Sequence, residues 1–565
     1  MPRAEISISQ TERVFPSTQA TTERCVPLSL LDATTANFSL TNAVWLFERP
    51  TSLPKSVSLV PHLRHCLRAT LDSYPQWAGQ CKAIHTLDGK TDNEAQTLPS
   101  HARRFGRLYA HFGTGEDPGV ELITATSSAT LDFLYPAART ATNPLWNRQE
   151  AALDAFSPGT TVTMASPLQQ HDLDTSGLRK PLLAIQLTEL ACGGFVLAAQ
   201  IVHPMADIAA LVHFVKSWGS VSRSRLRDEA LPMLDPVFNP AQLDDLAAAD
   251  INAGEPDEVT LDRDRALPMH RFDWWAPVAG RPPPRIPTAF GIGIPPPSGS
   301  VMPWADWDVK APVSSYIVHL SRQQVEVLWQ AATSHGQADD PGLRISKHDA
   351  VLAHIWSSIT RARGFDGDSS PVHCDLTIGV RPAMQLGDAF IGSPIVLINI
   401  EMSGAQVAGR DPLQPIAKRI RETIVKAINK ESLAAHLHGV AFEKSPQRIW
   451  QAFLGQRHIL VTTWARAGIY KIDFGFRAEN LGSCVRYADG VVPDMDGIVL
   501  IKEAPPILAS ATSDSKPTWT DNGVDISVYL RAHDMERFLK DSALLPVCKY
   551  EASAFKLQAK SNLDS

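Results

Sequence analysis

Leu182-Leu183-Ala184-Ile185-Gln186-Leu187-Thr188-Glu189-Leu190-Ala191-Cys192-Gly193-Gly194-Phe195-Val196-Leu197-Ala198-Ala199-Gln200-Ile201-Val202-His203-Pro204-Met205-Ala206-Asp207 carries two apolar runs around a Cys-Gly-Gly turn. The runs Leu182–Leu187 and Gly194–Val202 have the length of strands, and glycine supplies the backbone freedom of a tight reversal. The spacing predicts a buried hairpin. From Ile208 the apolar residues Leu211, Phe214, Val215 and Trp218 follow a helical period. His203 therefore falls between the end of a strand and the start of a helix. A strand end is rigid and the chain opens there into a cleft, where an imidazole can exchange a proton near neutral pH. His335 to Asp339 repeats the H-x-x-x-D pattern, but in a polar stretch with no strand before it, and is expected in a surface loop. On local evidence His203 is either a structural histidine or a general base.

Outward from this segment, strands and helices alternate in both halves. Residues 1–26 are polar and Thr/Ser-rich, which suits an extended arm or an edge strand. Leu59, Leu63, Leu67 and Leu71 recur at i, i+4 and predict a helix. In the second half, Ser314–Leu320 and Val524–Leu530 read as strands. Ser346, with Asp349 three residues on, reads as the cap of a helix lined by Val351, Ile355 and Ile359. Ile416, Ile420, Ile424 and Ile428 predict another helix, and one through Met535 and Leu539 closes the pattern. Residues 238–312 are dense in proline, including Pro282-Pro283-Pro284 and Pro295-Pro296-Pro297. Such a tract behaves as a semi-rigid crossing with little regular core, and backbone pairing should be sparse through 280–300. Trp274, Trp275, Trp304 and Trp307 should lay it across a surface. The domain division expected is 1–237, a crossing at 238–312, and 313–565.

Composition excludes several classes. The 565 residues are 44% apolar and 20% charged, as in a globular chain with more than one core. The formal charge of −7 leaves no overall basic footprint for nucleic acid. No apolar run approaches the roughly 20 residues of a bilayer span, and the N-terminus lacks an apolar signal core, so a cytoplasmic protein is expected. The seven cysteines are scattered without a C-x-x-C pair. They read as buried thiols, and no metal site is expected from ligand spacing. No G-x-S-x-G elbow occurs. Gly89-Lys90-Thr91 and Gly291-Ile292-Gly293 are incomplete nucleotide motifs.

Four further segments join Cys192-Gly193-Gly194 and the His203 motif. They are Ser346–Trp356, Ile378-Gly379-Val380-Arg381-Pro382, Val461-Thr462-Thr463-Trp464 and Asp473-Phe474-Gly475-Phe476. In order and spacing, over about residues 27–545, the chain resembles the BAHD acyltransferases, an acyl-CoA-dependent family of plants and fungi. It is most similar to the fungal branch of trichothecene acetyltransferase-like enzymes. Two departures stand out: Ile208 follows the motif aspartate where the family has glycine, and Arg477 replaces the last glycine of the D-F-G-W-G element.

The resemblance implies an α/β fold of two chloramphenicol-acetyltransferase-like domains, with mixed β-sheets flanked by helices and an active-site channel at their interface. It implies direct transfer of an acyl group, acetyl foremost, from acyl-CoA (acetyl-CoA) to a hydroxyl or amine of a small secondary metabolite. His203 would be the general base, and Thr462 and Trp464 would sit at the reacting centre. Asp207 would pair with Arg381 rather than relay to His203. Asp473 and Gly475 would shape the CoA channel and hold the fold. No metal is required, and a monomer without a nucleic-acid partner is expected. Two alternatives remain. An amide-forming condensation enzyme would carry paired histidines, but Val202 occupies the first position. A binding or regulatory protein that lost the chemistry has Ile208 and Arg477 as its support.

Overall fold

The computed structural model describes residues 5–18, 22–85, 93–159, 179–278, 296–334, 343–409, 413–477, 484–506 and 518–547. The hairpin forms as its sequence requires. Strands Leu183–Leu190 and Phe195–Ile201 pair antiparallel, with Leu183 opposite Ile201 and Leu187 opposite Leu197. Gly193 turns the corner at φ +82°, a left-handed conformation that strains any residue with a Cβ. Around this pair a six-stranded sheet assembles in the order Ile6–Val14, Val120–Ser127, Leu183–Leu190, Phe195–Ile201, Thr41–Phe47, Val485–Gly490. Its one parallel pairing joins Val120–Ser127 to Leu183–Leu190. The N-terminal arm is thus the edge strand.

Thr41–Phe47 is buried along its whole length because each face enters a different core. Ala43, Trp45 and Phe47 pack with helices Leu59–Leu71 and Ile208–Leu226. Val44 and Leu46 meet Tyr135, Trp146, Ile317 and Tyr487 on the other side. The two-residue period of a strand makes this division, and it explains why the central strands read as unbroken apolar runs.

The second sheet has seven strands in the order Ile395–Ser403, Pro371–Gly379, His458–Thr463, Ile498–Glu503, Val524–Arg531, Val313–Leu320, Leu145–Asn147. It is also mixed, since His458–Thr463 runs parallel to both neighbours. Helices Arg322–Thr333, Lys347–Ala362 and Gln414–Ala427 bury their apolar stripes against it. Ser346 caps Lys347–Ala362 as expected: its hydroxyl accepts from the Asp349 N–H, and the Asp349 carboxylate accepts from the Ser346 N–H.

The sheets exchange edge strands, which composition along the chain could not indicate. Leu145–Asn147, from the first half, pairs with Val313–Leu320; Val485–Gly490, from the second half, pairs with Thr41–Phe47. A buried ion network clips the exchange. Arg148 donates to Asp489 at 2.9 Å, and the Lys502 ammonium donates to Tyr487 at 2.7 Å and to Asp489 at 2.5 Å. The expected division near residue 237 therefore separates the chain but not the sheets.

The proline-rich tract is more ordered than expected where it is described. Helix Glu258–Arg265 lies in it, Leu243 and Ile251 enter the second core, and Trp275 enters the first. Ser300–Val301 pairs with Phe272–Asp273, which pairs in turn with Ile449–Trp450. Of the stretch 280–300, expected to pair sparsely, Ser300 is the one described residue in a strand. Residues 281–295 and His335, expected in a surface loop, lie outside the described residues, as do both partial nucleotide motifs.

Candidate active site

Helix Ile208–Leu226 begins where it does because Ala206 and Asp207 are extended and Asp207 caps the first turn, accepting from the Ala210 N–H at 3.0 Å. This start makes Ile208 the first helical residue. His203 is left on a short turn between strand and helix, half-buried on the wall of a cavity of about 540 Å³. Phe38, Asn42, His203 and Ile208 line the cavity from the first half. Arg381, Trp450, Thr462 and Trp464 line it from the second, and it extends to Ser346, Arg421 and Trp519. The cavity thus lies between the two sheets, and His203, Asp207, Arg381, Thr462 and Trp464 all border it. Thr463 ends strand His458–Thr463, with Thr462 before it and Trp464 after it, so the two-residue period puts Thr462 and Trp464 on one face.

Two neighbours that sequence reasoning missed hold the His203 ring, and a third, Asp32, holds one of them. Ser393 Oγ lies 2.8 Å from Nδ1, and Phe38 meets the ring edge-on at 5.3 Å. The Ser393 N–H donates to Asp32 at 2.5 Å; Asp32 is wholly buried and caps its own short helix. With Nδ1 turned to Ser393, Nε2 is the nitrogen left to meet a substrate. Burial lowers the His203 pKa to about 4, against a smaller opposing effect of the Asp207 charge. The ring is therefore neutral at pH 7, the form that accepts a proton. Burial of Asp32 raises its pKa to about 7, against hydrogen bonds from Ser393 and Ser29. No spacing rule connects residues 32, 38, 203 and 393, which come together only in the fold.

Asp207 faces away from the imidazole and pairs with Arg381. Nη1 and Nη2 donate to its two oxygens at 2.5 and 3.0 Å, a bidentate geometry. Arg381 also donates to the carbonyls of Phe390 and Gly392, the turn that carries Ser393. The pair therefore ties the start of the helix to the loop that orients His203.

Asp473 and Gly475 do not border the cavity. Their segment crosses helix Ile208–Leu226, where Arg223 donates to the Asp473 carbonyl and Ser222 to the Phe474 carbonyl. A Cβ on Gly219 would come within 2.4 Å of the Asp473 oxygen, so glycine permits the crossing. Phe474 and Phe476 fill the first core, and Gly475 turns at φ +81°. Arg477 lies just past this core, half-buried. Of the described cysteines, Cys66, Cys374 and Cys484 are buried as expected, Cys25 and Cys81 are half-buried, and Cys192 departs from the buried reading at the exposed hairpin tip. No helix of the described residues is long and apolar enough to cross a membrane.

The Transferase family model matches residues 4–91 and 152–263. Acyltransferase AFT15-1 of Alternaria alternata is 26% identical over 555 residues, covering 96% of this chain and 97% of that protein. Putrescine hydroxycinnamoyltransferase 1 of Oryza sativa subsp. japonica is 25% identical over 397 residues, 68% of this chain and 73% of its own. Among solved structures, F. graminearum TRI101 in complex with coenzyme A and deoxynivalenol superposes with a TM-score of 0.59 at 16% identity, over 92% of this chain and 98% of that one. That likeness is one of fold.

Proposed function

We propose that the chain is a BAHD-type acyltransferase that moves an acyl group, acetyl foremost, from a CoA thioester to a hydroxyl or amine of a small metabolite, a reading supported by the Transferase family match and by the acyltransferase relatives. The observation that carries the proposal is the cavity between the sheets, with a neutral, oriented His203 on one side and Thr462 and Trp464 contributed by the other half. Relatives named for their activities include a benzyl alcohol O-benzoyltransferase and a putrescine hydroxycinnamoyltransferase, so both hydroxyl and amine acceptors belong to the class.

In the proposed step, Nε2 of His203 takes the acceptor proton while the acceptor oxygen or nitrogen forms a bond to the thioester carbonyl carbon. The carbon–sulfur bond then breaks, and the imidazolium returns the proton to the leaving thiolate. No acyl-enzyme is formed. A desolvated imidazole is a weak base at rest, but its conjugate acid gives the proton up readily, which suits the second half of the step. Thr462 and Trp464 can offer a hydroxyl and an indole N–H to the acceptor and to the developing oxyanion. Asp207, Arg381, Asp473 and Gly475 support this arrangement without touching substrate. The division of labour is 1–237 for the base, 313–565 for the opposing wall, and 238–312 for the crossing between them. We assign the protein to the cytoplasm as a monomer.

Release of free CoA from acetyl-CoA and longer acyl-CoAs, measured against a panel of alcohols and amines, tests the proposal. Acceptor-dependent release is expected; thioester binding without release under any acceptor would favour a binding protein instead. Ser393 supplies a finer test. Ser393→Ala removes the partner of Nδ1, so kcat should fall by about tenfold with KM for acyl-CoA unchanged, and Ser393→Thr should restore most of it. Equal loss in the Thr variant would mean that the site senses bulk at 393, not its hydroxyl.

A further inference from the structure

Three histidines distant in sequence, His270, His373 and His458, each bring one ring nitrogen within 4.8 Å of the others. Sheet geometry sets two of them side by side. His373 and His458 are register partners on parallel strands, and their rings stack with centroids 4.4 Å apart. His270 arrives from the proline-rich tract, its ring 5.0 Å from His373 and 5.5 Å from His458. The pairing of the adjacent Phe272–Asp273 with Ile449–Trp450 holds it there.

Asp375 lies beneath the rings. It is two residues beyond His373 and so on the same face of the strand, and it is wholly buried. Its oxygens accept from Asn399 Nδ2 at 2.8 Å, from the Phe453 N–H at 2.9 Å and from His458 Nδ1 at 3.3 Å. His270 Nε2 comes within 3.4 Å of it, yet is buried without a hydrogen-bond partner. Among the described residues no lysine or arginine forms an ion pair with Asp375. Around the rings, Glu401 stands 3.8 Å from His373, and Asp306, Arg363 and Arg457 act on His458 from farther away.

We propose that His270, His373 and His458 form a binding site for one divalent transition-metal ion of the zinc class, with Asp375 as the balancing carboxylate, and that the ion pins the proline-rich tract to the second sheet. Neutral imidazole is the form such an ion binds, and all-nitrogen sites of this kind select zinc, copper or nickel over magnesium or calcium. Ligand nitrogens around a tetrahedral zinc lie about 3.3–3.4 Å apart, from Zn–N distances of about 2.0–2.1 Å. The nitrogens lie within 4.8 Å of one another, so side-chain rotation must close the remaining gap. None of the four residues borders the cavity that holds His203, so the site is structural and separate from the acyl-transfer chemistry.

The test uses tag-free full-length protein stripped with a chelator and titrated with cobalt(II) and, by calorimetry, with zinc(II). One equivalent should bind, with the visible absorption of four-coordinate cobalt, and zinc should displace it. His270→Asn and His373→Asn, both at half-buried positions, should each weaken binding at least about tenfold, while His203→Ala should leave the stoichiometry at one. Zinc should raise the unfolding midpoint of the stripped protein, while acyl transfer survives stripping. Failure of the wild-type protein to take up either metal, or undiminished binding in the His373→Asn variant, overturns the proposal.

Discussion

Replacing His203 with Ala is expected to lower kcat at least about a hundredfold, the lower end of what general base catalysis contributes. Acyl-CoA binding should persist, because the ring occupies one point on the cavity wall and not its whole length. Ser393 and Phe38 exist in this arrangement as supports for an imidazole, and among the described residues the other histidine that borders the cavity, His348, makes no hydrogen bond or ring contact with either of them. The pH profile carries the same assignment. Burial lowers the His203 pKa to about 4 in the free protein, and the neutral ring is the active form. Activity should therefore hold as pH falls from 7 to 5 and drop only as pH approaches 4. The stability linkage has the same direction. The unfolded chain takes up the proton near pH 6.5 and the folded chain only near 4, so His203 destabilises the fold progressively between those values. An Ala variant with near-normal turnover, folded by circular dichroism, would remove His203 from the chemistry.

Arg381→Ala is expected to cost about 3–5 kcal/mol of stability, the usual range for breaking a buried ion pair from one side. Both partners are buried, and the substitution strands the Asp207 carboxylate together with the carbonyls of Phe390 and Gly392. Activity should fall as well, because the turn that loses its arginine presents Ser393 to His203. Lysine is no substitute: one ammonium cannot meet two carboxylate oxygens and two carbonyls in a single plane. The Asp207→Ala/Arg381→Ala double variant should lose less than the sum of the single losses, since no charge is left unpaired. Urea midpoints of the four proteins make the comparison. A single Arg381→Ala variant that unfolds with the wild type would contradict the structural role of the pair.

Local signals were legible because they arise from neighbours in the chain. The hairpin Leu183–Ile201 follows from two apolar runs and a glycine turn, and the helix after Ser346 follows from a capping box whose members are three residues apart. His203 stood out because a strand, a proline and a helix cap meet within five residues of it. Those features sit within the range over which backbone sterics and local hydrogen bonds act.

Features built from long-range closure left no such trace. Ser393 is 190 residues from His203, and Arg381 is 174 from Asp207. Only the resemblance joined the second pair in advance, and nothing joined the first. The exchange of edge strands was equally hidden, since Leu145–Asn147 and Val485–Gly490 are short and would suit either sheet by pattern alone. The three-histidine cluster marks the limit most clearly. Spacing along the chain argued against any metal ligands, yet parallel pairing of Pro371–Gly379 with His458–Thr463 places His373 beside His458, and the folded tract adds His270. Amino-acid order by itself determined which segments become strands and helices and which histidine ends a strand. Tertiary structure alone decided which side chains share a wall, because a contact between distant residues forms only after the sheet register between them is set.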